Sequence, residues 1–173
     1  GSAYWCEKMI ERYWEEKAGK LLLLGDILYH GPRNDLPRDY APKRVIEMLN
    51  NMREQLLCIR GNCDCEVDQM VLQFPIMADY AALWLNGHMV WATHGHVYNM
   101  DNHPPFQKGD ILLHGHTHIP AAQQFEDGFY YINPGSVSIP KAGSRNSYLV
   151  LEGSTFTLKA IEDGSVISSF TVE

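Results

Sequence analysis

Repeatedly along this chain a short apolar run stops at a cluster of Gly, Asp, Asn or His. Leu21-Leu-Leu-Leu24 stops at Gly25-Asp26, Leu56-Leu-Cys-Ile59 at Arg60-Gly-Asn-Cys-Asp64, and Met89-Val-Trp-Ala92 at Thr93-His-Gly-His96. Ile111-Leu-Leu113 stops at His114-Gly-His-Thr-His118, and Phe129-Tyr-Tyr-Ile132 at Asn133-Pro-Gly-Ser136. Continuous apolar runs this short read as buried strands, the pattern of a parallel sheet covered by helices. In open α/β sheets, ligands bind beyond the carboxyl ends of the strands, where these polar clusters fall. The expected class is therefore α/β.

The segments between the runs fit that class. Trp5, Met9 and Tyr13 share one helical stripe, with Cys6, Ile10 and Trp14 beside it, so residues 2–18 read as a helix. Ser2 is placed to cap it and Gly19 to end it. Residues 30–42 hold Pro32, Pro37 and Pro42 and read as a loop. Pro42 then opens a helix whose inner face is Val45, Met48, Leu49 and Met52. A short helix carrying Val67, Met70 and Val71 follows. Asn86-Gly87 between Leu83-Trp-Leu85 and Met89–Ala92 signals a hairpin. Leu149–Leu151, Phe156–Leu158 and Val166–Val172, with a turn at Asp163-Gly164, read as a structural antiparallel tail. Trp84 and Trp91 are assigned to the core. No repeat or linker interrupts the chain, and residues 1–173 read as a single domain.

Charge narrows the function. With 14 Lys and Arg against 21 Asp and Glu, the net charge of −7 disfavours general nucleic-acid binding and docking on an anionic membrane. No apolar run approaches the ~20 residues of a membrane span, and the start lacks a signal-peptide pattern. The 4 cysteines, Cys6, Cys58, Cys63 and Cys65, are too sparse for a disulfide scaffold, so a reducing cytoplasm is expected.

The strand-exit residues carry the chemistry. Asp26, Asn62, His94, His116 and His118 form a mixed oxygen and nitrogen donor set. Such a set suits Mn²⁺, Fe or Zn²⁺ in an open catalytic site better than a closed thiolate zinc site. A carboxylate such as Asp26 can bridge two ions about 3.5–4 Å apart, the arrangement of phosphatases and nucleases. The tight spacing of Cys63 and Cys65, with no fourth cysteine near, argues against a thiolate site including Cys58. His114 is expected to pack or hydrogen-bond rather than ligate, and His30, His88 and His103 to lie on the surface. His96 either orients a ligand or the phosphate, or is a solvated loop residue. The same two readings stand for Arg33 and Asn34.

In this order, Gly25-Asp-Ile-Leu28 with the loop His30-Gly-Pro-Arg-Asn34, and Arg60-Gly-Asn-Cys-Asp64 running on as Glu66-Val-Asp-Gln-Met70, are followed by Thr93-His-Gly-His96, Gly115-His-Thr-His118 and Asn133-Pro-Gly-Ser-Val-Ser-Ile-Pro140. Together they resemble the calcineurin-like metallophosphoesterase superfamily over essentially the whole chain, and within it a bacterial phosphodiesterase type. The resemblance implies a four-layer α/β/β/α sandwich and a dinuclear centre, with Mn²⁺ expected and Fe or Zn²⁺ as alternatives. It implies that Asp26 bridges both ions, that Asn62, His94 and His116 complete one shell, and that His118 belongs to the other. A small phosphoester would be hydrolysed by a metal-activated water. Cys63 stands where many relatives carry a histidine that assists the leaving group. With Cys63 and His96 as the catalytic pair, diesters or activated esters are favoured over simple monoesters.

One departure concerns the start. The family opens with a strand ending in Asp-x-His-Gly-Ser, whose Asp and His bind the first metal. Gly1-Ser2 resembles the end of that motif, so the first strand and those ligands are expected to be missing and the first metal site weakened. The exposed sheet edge would suit a homo-oligomer. The alternative to an enzyme is a non-catalytic scaffold, as the superfamily's retromer subunit is.

Overall fold

Ser2 caps the first helix as expected. Its hydroxyl accepts a hydrogen bond from the Trp5 N–H at 3.2 Å and opens α1 (Ala3–Glu15). In the computed structural model, which describes residues 1–173, α1 begins a first compact unit, Gly1–Asp79. The unit continues with β1 (Leu21–Leu23), α2 (Pro42–Asn50), β2 (Leu56–Cys58) and α3 (Glu66–Val71).

The stop of α1 differs from the expectation. Lys17, not Gly19, takes the left-handed conformation at φ 53°. Its N–H donates to Trp14 O at 3.2 Å and the Ala18 N–H reaches Tyr13 O at 3.5 Å. This is a Schellman ending with a lysine where glycine is usual. The apolar stripe is also narrower than expected. Ala3, Trp5, Cys6 and Tyr13 are buried, whereas Trp14 is 58% exposed.

β1 and β2 pair in parallel, with Leu21 opposite Leu56 and Leu23 opposite Cys58. The register carries Gly25-Asp26 and Arg60-Gly61-Asn62 out at the same end. Burial on both faces is not complete, since Leu57 points outward between buried Leu56 and Cys58. Pro42 sits in the first turn of α2, and Val45, Leu49 and Met52 pack with Leu23, Leu28, Leu72, Phe74 and Ile76. Each such buried aliphatic contributes about 1.5–3 kcal/mol. α3 forms, but Val67, Met70 and Val71 remain exposed.

The second unit, Tyr80–Glu173, holds two sheets. Its strands are β3 (Tyr80–Leu85), β4 (His88–Thr93), β5 (Ile111–His114), β6 (Ala121–Gln124), β7 (Tyr130–Asn133), β8 (Ser147–Glu152), β9 (Thr155–Ala160) and β10 (Val166–Thr171). The first sheet runs β3-β4-β5-β7-β6 and the second β10-β9-β8, the latter antiparallel as expected. Asn86 at φ 51° and Gly87 at φ 89° make the primed turn between β3 and β4. β4, β5 and β7 are parallel, so Thr93, His114 and Asn133 end at one side of the sheet. The inner faces meet through Val90, Ile111, Tyr130 and Ile132 on one sheet and Phe156 on the other. Trp84 is not core. It sits 68% exposed on edge strand β3, and Trp91 is half-buried. β6 pairs antiparallel with β7 and is not anticipated from its sequence, Ala-Ala-Gln-Gln.

Candidate metal centre

In the first unit the polar residues gather where β1 and β2 end. Gly25 lies at φ +90°, and a Cβ there would stand 2.3 Å from Gly61 N, so the two strand exits touch backbone to backbone. Asp26 follows in the left-handed region at φ 56°, a conformation costing a non-glycine about 1 kcal/mol. Asp64 holds this geometry. Its carboxylate accepts from Asp26 N (2.8 Å), Ile27 N (2.9 Å) and Gly61 N (2.7 Å), and it is 2% exposed. Burial pushes its pKa up, and the three amide donors oppose that by favouring the charged form.

The same loop orients Asp26 and Asn62. The Cys63 N–H donates to Asp26 Oδ1 at 2.9 Å, and Asn62 Nδ2 donates to Cys63 Sγ at 3.2 Å. The Cys63 thiol is pushed up to about 11, first by burial and then by the charges of Asp26 and Asp64. It is neutral at pH 7.

In the second unit the histidines gather at the exits of β4 and β5. The Gly115 N–H donates to His94 O at 3.0 Å and ties the exits together. His94 is buried, and its Nε2 lies 3.0 Å from His116 Nδ1. His116 and His118 both take positive φ, 62° and 61°, with Thr117 between them closing a tight turn onto Gly115 O. His118 Nδ1 hydrogen-bonds Ile139 O at 2.9 Å, which makes Nδ1 the protonated nitrogen and leaves the lone pair on Nε2. Asn133 pins the loop from β7. Its Nδ2 reaches Gly115 O, Thr117 Oγ1 and Tyr131 OH, and its Oδ1 accepts from Gly135 N.

Other histidines sort clearly. His114 is buried, hydrogen-bonds Gly115 O and stacks on Tyr131, the packing role expected of it. His96 is exposed, its ring 5.3 Å from His94 and 6.3 Å from His116. His103 lies on the surface, stacked on Phe106. His30 and His88 do not. His30 is half-buried between the rings of Tyr29 and Tyr40, and His88 Nδ1 bonds Gly109 O. The roles of Asp64 and Asn133 escape sequence reasoning. Their signal is an acid or amide at a strand exit beside Gly, which alone does not say what it binds.

Two of these side chains, His94 and His116, are spaced as two ligands of one metal would be. The nitrogens of His94 and His116 stand at the spacing of neighbouring ligands on one ion, for which metal–nitrogen bonds of ~2.0–2.1 Å give roughly 3 Å between donors. Both are imidazoles held in a buried or half-buried loop, and His118 is oriented through its second nitrogen as metal-bound histidines are.

Comparison with known proteins points the same way. Residues 5–155 match the calcineurin-like phosphoesterase superfamily domain. The chain is 42% identical over 172 residues to phosphodiesterase YfcE of Escherichia coli strain K12, covering 99% of this chain and 93% of that protein. The solved structure of YfcE, a phosphoesterase from E. coli, superimposes with a TM-score of 0.96, covering 100% of this chain and 94% of that one. A Vps29 structure from Entamoeba histolytica, 17% identical with a TM-score of 0.55, shares the fold.

Proposed function

The chain belongs to the calcineurin-like phosphoesterase superfamily, and on that premise we propose that it hydrolyses small phosphodiesters at a dinuclear metal centre. The observation that carries the metal reading is the His94–His116 nitrogen pair at 3.0 Å. In this reading residues 1–173 act as one domain, because the family match runs across both compact units. Asp26 would be shared by the ions, Asn62, His94 and His116 would hold one, and His118 would hold the other through Nε2. Mn²⁺ is the proposed metal, with Fe or Zn²⁺ as substitutes. Bound metal supplies Lewis-acid polarisation of the phosphoryl group and an acidified water for attack.

The protein's own residues do the rest. Cys63 N–H fixes Asp26 Oδ1, and Asn62 Nδ2 donates to Cys63 Sγ, which orients the Asn62 amide. Ile139 O fixes the tautomer of His118. The neutral Cys63 thiol is a weak proton donor, so diesters or activated esters are preferred over simple monoesters. His96, exposed beside His94, is assigned to the substrate phosphate. Free thiols at Cys6, Cys58, Cys63 and Cys65 suit a cytoplasmic setting, and the uncharged edge strand β3, with Tyr80 and Trp84 exposed, suits pairing with a second copy.

The test is metal content and hydrolysis of bis(4-nitrophenyl) phosphate with Mn²⁺. His116→Ala is expected to lose bound metal and about a hundredfold or more in rate. A wild-type protein that binds no metal overturns the reading and leaves the scaffold in its place.

A further inference from the structure

Arg33 is the arginine that the fold leaves unused. Arg12 pairs with Glu15, Arg44 with Asp39 and Arg145 with Asp163. Arg38 lies over the Tyr4 ring, and Arg53 and Arg60 donate to backbone oxygens of Asn50 and Asp64. Arg33 has an exposed side chain for which the structure gives no ion pair, hydrogen bond or ring.

Its backbone, in contrast, is fixed. Asn34 N–H closes a turn onto Gly31 O at 3.4 Å, and Asn34 Nδ2 donates to His30 O at 2.7 Å. His30 is wedged between Tyr29 and Tyr40. Gly31 is buried at φ +81°, and a Cβ there would stand 3.2 Å from Cys63 Sγ. The turn is thus seated on Cys63, whose own N–H holds Asp26. The turn therefore carries Arg33 two residues from the glycine that packs on Cys63. A surface arginine that merely solvates the protein needs no such base.

We propose that Arg33 is a substrate-binding residue whose guanidinium takes an anionic oxygen of the phosphodiester on the Cys63 side of Asp26. This rests on the phosphodiesterase reading above. The planar fork matches two phosphoryl oxygens, which a lysine's point charge does not. A cation there also offsets the net charge of −7, which otherwise repels an anionic ester.

The test compares Arg33→Gln and Arg33→Lys with wild type in the Mn²⁺-loaded full chain. It reads kcat and KM for bis(4-nitrophenyl) phosphate, bound metal, and the Kd of inorganic phosphate by calorimetry. Arg33→Gln is expected to raise both KM and the phosphate Kd about tenfold, with kcat within about threefold and metal content unchanged. Arg33→Lys recovers part of that loss. An unchanged KM and Kd in Arg33→Gln, or a kcat loss at constant KM, overturns the assignment. A wild type that binds metal and phosphate but cleaves no diester sinks the phosphodiesterase reading alone. The phosphate Kd of Arg33→Gln then still decides for or against Arg33.

Discussion

Asp64 is almost wholly buried, yet it sets where Asp26 and Gly61 stand. Asp64→Asn keeps one acceptor oxygen but turns an NH₂ toward backbone donors. The expected loss is about 2–3 kcal/mol of stability in urea titration, accompanied by weaker metal binding. A variant as stable as wild type contradicts the clamp. Asp26, Asn62, His94, His116 and His118 were legible in the sequence as polar residues directly beyond apolar runs, and each does follow a strand exit. Asp64 was not legible as a clamp, because its amide partners on Asp26 and Ile27 are 38 and 37 residues away and have no side-chain signature. Asn133 is hidden for the same reason, since its amide nitrogen works on Gly115 O, 18 residues away.

At the scale of elements, apolar runs marked β1, β2, β4, β5 and β7 because burial selects their composition directly. β6 left no mark. Ala121–Gln124 is a strand only because β7 lies beside it, and no local propensity says so. The end of α1 is not marked in the sequence, because Lys17 is a poor residue for positive φ, whereas Gly19 is a good one that the chain does not use there. Lys17→Gly should therefore stabilise the protein by about 0.5–1 kcal/mol, seen as a higher urea midpoint at unchanged slope. A lower midpoint means the lysine is held by contacts that outweigh the strain. The exposure of Trp14 and Trp84 has a common origin: a large aromatic carries no sign in its type of which face it will occupy.

Two of the molecule's four thiols, Cys6 and Cys58, are buried. Burial raises Cys6 to about 11 and pushes Cys58 up as well. In the unfolded chain Cys6 ionises near 9.0, so between about pH 9 and pH 11 the native state binds more protons. Stability from this residue is complete below pH 9 and falls as pH rises through 11, by about 2–3 kcal/mol in all. Urea unfolding at pH 8, 9 and 10 should show the decline, and Cys6→Ala should make it shallower. An equal slope in the variant assigns the decline to other groups.

The backbone contact between Gly25 and Gly61 has a historical consequence as well. Neither position can gain a side chain while the other strand exit stays where it is, because a Cβ on Gly25 meets Gly61 N and one on Gly61 meets Asp26 N. No single substitution lets a lineage leave this arrangement gradually. The loops beyond these glycines can change without disturbing that contact, whereas a side chain at either glycine would push the strand exits apart.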